Sequence, residues 1–240
     1  MARRRIEVDA SKSELAISED AFLKYAYFYT YKLMSDHTGK FDQKILELGS
    51  AGGIAKLFNP RILTSDIRTS PLTEMNFSGT DIPFPKESFD QIWIKDAIHH
   101  IEDLEQLLAE IARVLKPNGV LSICEPYWGP ISQIIYRSVH PEGFSKRKVL
   151  NQVFLPEGNQ ATYWALKSNK YFSHRTGFDA FRIESSTVIN GIAWLISGGA
   201  TFSTGYNPKL LIKIAKLENR SRLWMKIFGL NIVEVYIKKT

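Results

Sequence analysis

The stretch Glu47-Leu48-Gly49-Ser50-Ala51-Gly52-Gly53 concentrates backbone freedom at the end of a short apolar run, Lys44-Ile45-Leu46-Glu47-Leu48. Glycines let a chain turn tightly and bring its backbone close to a ligand. At the carboxyl end of a strand, such a loop is where open α/β sheets hold small molecules. The spacing is not Gly-x-Gly-x-x-Gly, no Gly-Lys-Ser/Thr follows, and Glu47 would repel a pyrophosphate. The same anion suits a ligand that carries positive charge. Further on, Asp66 ends a second run, Ile62-Leu63-Thr64-Ser65. A carboxylate there can accept from two neighbouring hydroxyls at once, although an aspartate at a strand end is also a common turn or capping residue.

These groups need a scaffold, and the sequence supplies an alternating one. Strands are expected at 44–48, 62–65, 91–94 and 120–124, with a turn and short helix after Gly49 and a helix over 103–115. In that helix Leu104, Leu107, Leu108, Ile111, Ala112 and Leu115 recur at i, i+3, i+4 spacing, and Lys116-Pro117-Asn118-Gly119 closes it. Alternation of this kind predicts an α/β, doubly wound, mostly parallel sheet. Residues 18–40 open with a helix rich in aromatics, a cap expected near the ligand loop. After Pro126 the period is lost until strands at 181–188 and 232–238, which suit a late hairpin pair, with helical pieces near 192–196 and 208–216 between them. The stretch 127–177 is therefore expected to be an insertion covering the ligand end of the sheet.

The chain of 240 residues is 44% hydrophobic and 23% charged, ordinary for one globular domain, here taken as 1–240. The lone Cys124 sits in an apolar run and fits a buried thiol in a reducing compartment. No apolar stretch reaches spanning length, and the basic Met1-Ala2-Arg3-Arg4-Arg5 is followed by charged residues where a signal peptide would be apolar. A cytoplasmic location is expected, including the inner membrane surface. The formal charge of +6 suits an anionic partner.

The glycine loop resembles the first motif of class I S-adenosylmethionine-dependent methyltransferases of the type 11-like group, acid-apolar-Gly-x-Gly-x-Gly, with Ala51 at the middle glycine. The Ser78 to Asp90 segment is similar to the family's adenine-side loop, and Ile94 to Leu121 to its post-fourth-strand segment, so the likeness runs from Lys44 to Glu125. It implies a seven-stranded Rossmann-like sheet with an insertion after the fifth strand and S-adenosyl-L-methionine as cofactor. The cofactor-binding residues it implies are Glu47, Gly49, Ser50, Ala51, Gly53, Asp66, Ile67, Gly79, Thr80, Asp81 and Asp96. Asp66 would hold the ribose. Ser78 stands where the family commonly has an aspartate for adenine, and Asp81 is the expected substitute. Ala51 is tolerable if it does not need a positive φ.

Methyl transfer is an in-line displacement, so a base is needed only if the acceptor must lose a proton. Candidates are His140 first, then Glu125 and His174, with Glu142 also in the insertion. The stretches Glu125 to Trp128, Tyr136 to Phe144 and Trp194 to Gly199 resemble methyltransferase-like proteins of bacterial surface-polysaccharide biosynthesis, which implies a free, nucleotide-linked or lipid-linked sugar hydroxyl as acceptor. Trp128, Tyr163, Trp164 and Tyr171 could stack on sugars or form a small core. Arg137, Lys146, Arg147, Lys148, Lys167, Lys170 and Arg175 would suit a diphosphate or an anionic membrane, or a solvated face. The pair His99-His100 is assigned to packing rather than metal, since adjacent side chains diverge and no ligand set accompanies them. Nucleic acid is not expected, because no separate binding module is present. A methyltransferase of small metabolites or lipids, and a cofactor-binding protein without turnover, are the alternatives.

Overall fold

The computed structural model describes residues 3–4, 17, 19–35, 43–69, 73–138, 140, 142–150, 158–168, 177–199 and 202–240. Seven strands form the main sheet: β1 (Ile45–Leu48), β2 (Leu63–Asp66), β3 (Met75–Asn76), β4 (Phe89–Lys95), β5 (Leu115–Pro126), β6 (Phe181–Ile189) and β7 (Asn231–Lys238). Their spatial order is β3-β2-β1-β4-β5-β7-β6. Neighbours pair in parallel from β3 to β5, whereas β7 lies antiparallel between β5 and β6. The order reverses between β1 and β4, and a doubly wound sheet opens a crevice at such a switch point.

The helices are α1 (Ala21–Ser35), α2 (Ala55–Phe58), α3 (Leu104–Val114), α4 (Pro130–Ser138), α5 (Lys146–Leu150), α6 (Thr162–Lys167), α7 (Ile192–Ser197), α8 (Pro208–Glu218) and α9 (Arg222–Phe228). β1 is buried along its whole length, as a parallel strand covered on both faces must be. Its alternate residues divide the core. Leu46 and Leu48 pack with Leu107, Leu108 and Ile111 of α3, while Ile45 packs with Leu23, Tyr31 and Met34 of α1.

Local chemistry sets the helix starts. Asp103 caps α3 by accepting from Gln106 N–H at 2.9 Å, and Asp20 caps α1 by accepting from Phe22 and Leu23 N–H. The first turn of α1 itself carries no acid. Tyr31 then stacks on Trp93 of β4 with ring centroids 5.8 Å apart, which fixes α1 against the sheet.

Three outcomes differ from expectation. The two-residue β3 carries no alternation that a sequence pattern could reveal. β6 and β7 do pair antiparallel, but α7, α8 and α9 stand between them, so they are not a tight hairpin. Tyr163, offered for sugar stacking, is fully buried and donates its hydroxyl to Glu234, with Trp128 packed beside it. Lys167 bonds the Tyr236 hydroxyl at 2.7 Å and pairs with Glu234 at 3.2 Å, so it ties the core together. Among the other basic residues, Arg147 and Lys148 are exposed. Tyr171, Lys170, His174 and Arg175 lie outside the described residues.

Candidate active site

The loop after β1 turns through left-handed conformations at Gly49 (φ +69°), Ala51 (φ +46°) and Gly53 (φ +66°). Ala51 therefore does need a positive φ, and its methyl group is a strained replacement for glycine rather than a mild one. A Cβ on Gly49 would lie 2.4 Å from Ala97 Cβ, so the close pass of this loop under the end of β4 requires glycine twice over. Ser50 is buried. It links the loop to β2 by donating Oγ–H to the Glu47 carbonyl at 3.2 Å and accepting Ser65 N–H at 3.2 Å.

Asp66 closes the same turn from β2. One carboxylate oxygen accepts Ala51 N–H at 2.9 Å and the other accepts Arg68 N–H at 2.9 Å. Both oxygens keep a second lone pair, and the residue lines a cleft of about 1000 Å³ at the switch point. Gly49, Ala51, Ile67, Gly79, Thr80 and Asp96 also line it, together with Phe77, Ser78 and Ile101. Glu47, Ser50, Gly53 and Asp81 do not. Asp81 is exposed, is absent from the cleft lining and interacts with Arg113, so it is not placed at the adenine end. Ser78 is engaged with Thr80 Oγ1 at 2.7 Å.

Glu47 lies beneath the loop. Its Oε1 accepts from the Tyr31 hydroxyl at 3.0 Å, and its Oε2 is the one buried side-chain polar atom without a hydrogen-bond partner among the described residues. Burial pushes its carboxyl up to about 7, against the opposing pull of Tyr31, Ser50 and Lys95. An acid held this way favours a nearby positive charge.

A second pocket, of about 340 Å³, is enclosed by α1, the insertion and α7. Tyr27, Tyr136, Trp194 and Leu195 supply an apolar wall, and Lys95, Asn190 and Asn231 supply polar groups. Asp96, His99 and His100 line both this pocket and the cleft, so the two cavities meet there. Asp96 stands at φ +51° at the end of β4 and accepts from Asn231 Nδ2 at 3.3 Å.

At this junction His99 lies between two carboxylates, with Nδ1 2.7 Å from Glu125 and Nε2 3.2 Å from Glu142. Burial opposes its charge, but Glu125 and then Glu142 outweigh that and raise it to about 10. His140 faces the second pocket, and burial lowers it despite Glu142, whose Oε2 is 3.9 Å from its Nδ1. Burial, helped by His99, also lowers His100. Glu125 is fully buried, accepting Ala97 and Ile98 N–H as well as facing His99. It borders neither cavity, so it positions the 97–99 turn instead of acting as a base. The expected divergence of His99 and His100 is also corrected: their ring centroids are 4.4 Å apart, and both face Glu142 from the insertion.

The sheet order and the cleft at its switch point define the class I methyltransferase fold. Residues 58–123 match the family described as "Methyltransferase domain". A Streptomyces griseus demethylmenaquinone methyltransferase is 39% identical over 67 residues, 27% of this chain and 27% of that protein. The chain thus spans about a quarter of the length of the first curated relatives it matches. Among solved structures, a Thermotoga maritima S-adenosylmethionine-dependent methyltransferase superimposes with a TM-score of 0.54 at 15% identity, covering 94% of each chain. Geranyl diphosphate C-methyltransferase from Streptomyces coelicolor gives 0.51 at 15% identity, covering 96% of this chain and 84% of that one. These likenesses show the fold. None of these three gives support to surface-polysaccharide methylation.

Proposed function

We propose that the protein is an S-adenosylmethionine-dependent methyltransferase whose acceptor is a small, largely apolar molecule, such as a hydroxylated aromatic or quinol. The observation that carries this is the meeting of two cavities at Asp96, His99 and His100. The residues present fit the cofactor. Asp66 offers two acceptor oxygens at a place suited to a ribose, Gly49 and Ala51 border the cleft, and beneath their loop Glu47 holds an unpartnered Oε2 whose ionised form a nearby positive charge would favour. When bound, the cofactor supplies an electrophilic methyl group. The chain's own work is to align the acceptor and exclude water.

The acceptor pocket favours a ring over a sugar. Its wall is built of Tyr27, Tyr136, Trp194 and Leu195, and its volume of about 340 Å³ suits a small ligand. The Streptomyces griseus relative is a demethylmenaquinone methyltransferase, and a quinone offers a ring of this kind. His140 borders the pocket and is the imidazole placed to take a hydroxyl proton.

Titration calorimetry with S-adenosylmethionine and S-adenosylhomocysteine tests the cofactor site, and binding of both is expected. Release of S-adenosylhomocysteine is then followed with phenols, quinols and nucleotide sugars. Turnover with sugars alone would overturn the acceptor class, and no binding of either cofactor form would overturn the whole proposal.

A further inference from the structure

We propose that His99, His100 and Glu142 bind one divalent transition-metal ion of the zinc class, leaving an open coordination position toward both cavities. The ligand atoms of the three side chains all lie within 4.8 Å of one another. Glu142 Oε2 is 3.2 Å from His99 Nε2, and Oε1 is 3.6 Å from His100 Nε2. Ligands at about 2.0–2.2 Å from a tetrahedral ion are separated by roughly 3.3–3.6 Å, so the three groups, each imidazole nitrogen facing one oxygen of the same carboxylate, need only a small adjustment to close on one ion.

Two further features suit the cluster to a metal. His99 presents Nε2 while its Nδ1 faces Glu125 at 2.7 Å, and a carboxylate behind a histidine is the support that metal-ligating imidazoles commonly have. It fixes the ring and its tautomer. Gly158, at φ +89°, passes against both rings: a Cβ there would lie 2.7 Å from His100 Cε1 and 3.1 Å from His99 Cδ2. The backbone is thus shaped around the paired imidazoles. Two carboxylates converging on His99 also make the place electronegative, which favours a cation. Two imidazoles and one carboxylate on one side of an ion leave its remaining positions free. Resting on the methyltransferase proposal, those positions would take the acceptor's oxygen and polarise it.

The test uses the full chain freed of metal by chelation, without S-adenosylmethionine. Titration with Co²⁺ should give one equivalent of binding and a visible ligand-field band, which Zn²⁺ then abolishes. His100→Ala and Glu142→Gln should each weaken Co²⁺ binding by at least tenfold, and Glu125→Gln by roughly 10–100-fold. Circular dichroism and melting check that the variants fold. If Glu142→Gln does not, the half-exposed His100→Ala decides. Absence of stoichiometric binding, or affinity unchanged in His100→Ala, overturns the proposal. Metal binding without cofactor binding would leave this site standing and remove the methyltransferase reading, and the converse result would do the opposite.

Discussion

The Tyr31 hydroxyl donates to Glu47 Oε1 at 3.0 Å, joining α1 to the strand that ends in the glycine loop, while Oε2 of the same carboxylate has no partner. The bond satisfies half of a buried acid. The carboxyl is raised from 4.5 to about 7 in the folded protein, so the unfolded chain ionises first. Stability from this group is fully present below pH 4.5, is lost as pH rises to about 7, and is flat above. The loss is on the order of 3 kcal/mol at most. Glu47→Gln should remove that limb from a plot of chemical-denaturation stability against pH; an unchanged limb would assign it to other groups.

Ala51 at φ +46° makes the opposite kind of prediction, a gain. Glycine reaches this conformation without the steric cost that a Cβ carries. Ala51→Gly should raise stability by about 0.5–1 kcal/mol, read as a higher midpoint in urea. Gly49→Ala, by contrast, combines φ +69° with a Cβ 2.4 Å from Ala97 Cβ and should cost about 2–3 kcal/mol.

Asp66 bears on the cofactor and on its loop at once, because its carboxylate also holds Ala51 and Arg68 N–H. Asp66→Ala should weaken S-adenosylmethionine binding by about 1.5–3 kcal/mol, seen by calorimetry. Asp66→Asn keeps one acceptor oxygen and should lose less. Equal losses would place the effect in the loop rather than in ribose contacts.

The legible parts of the molecule were those governed by local pattern. The period in α3 and the apolar runs of β1, β4 and β5 announce themselves, and the glycine loop with Asp66 follows from strand-end chemistry. What the chain did not disclose depends on residues distant in sequence. Glu142 reaches His99 and His100 only because the insertion folds back over β4, and nothing in its neighbours' types signals that. Asp81 looked suitable by spacing, yet its turn directs it to solvent. Glu125 looked like a base at a strand end, but its position at the end of β5 buries it behind the 97–99 turn.

The acceptor wall gives a prediction that separates its role from the cofactor's. Leu195 borders the second pocket and not the cleft. It is partly exposed, so replacing it should leave the fold intact. Leu195→Gln exchanges apolar contact for an amide that the ring of an aromatic acceptor cannot satisfy, and losing part of a leucine's burial is worth about 1–2 kcal/mol. The KM for an aromatic acceptor should therefore rise by about tenfold or more, with S-adenosylmethionine affinity unchanged. A variant that loses cofactor affinity instead, or that turns over aromatic acceptors as before, would mean that the acceptor enters by another face. A uniform rise in KM with kcat preserved is the signature expected of a wall that holds substrate and transition state alike.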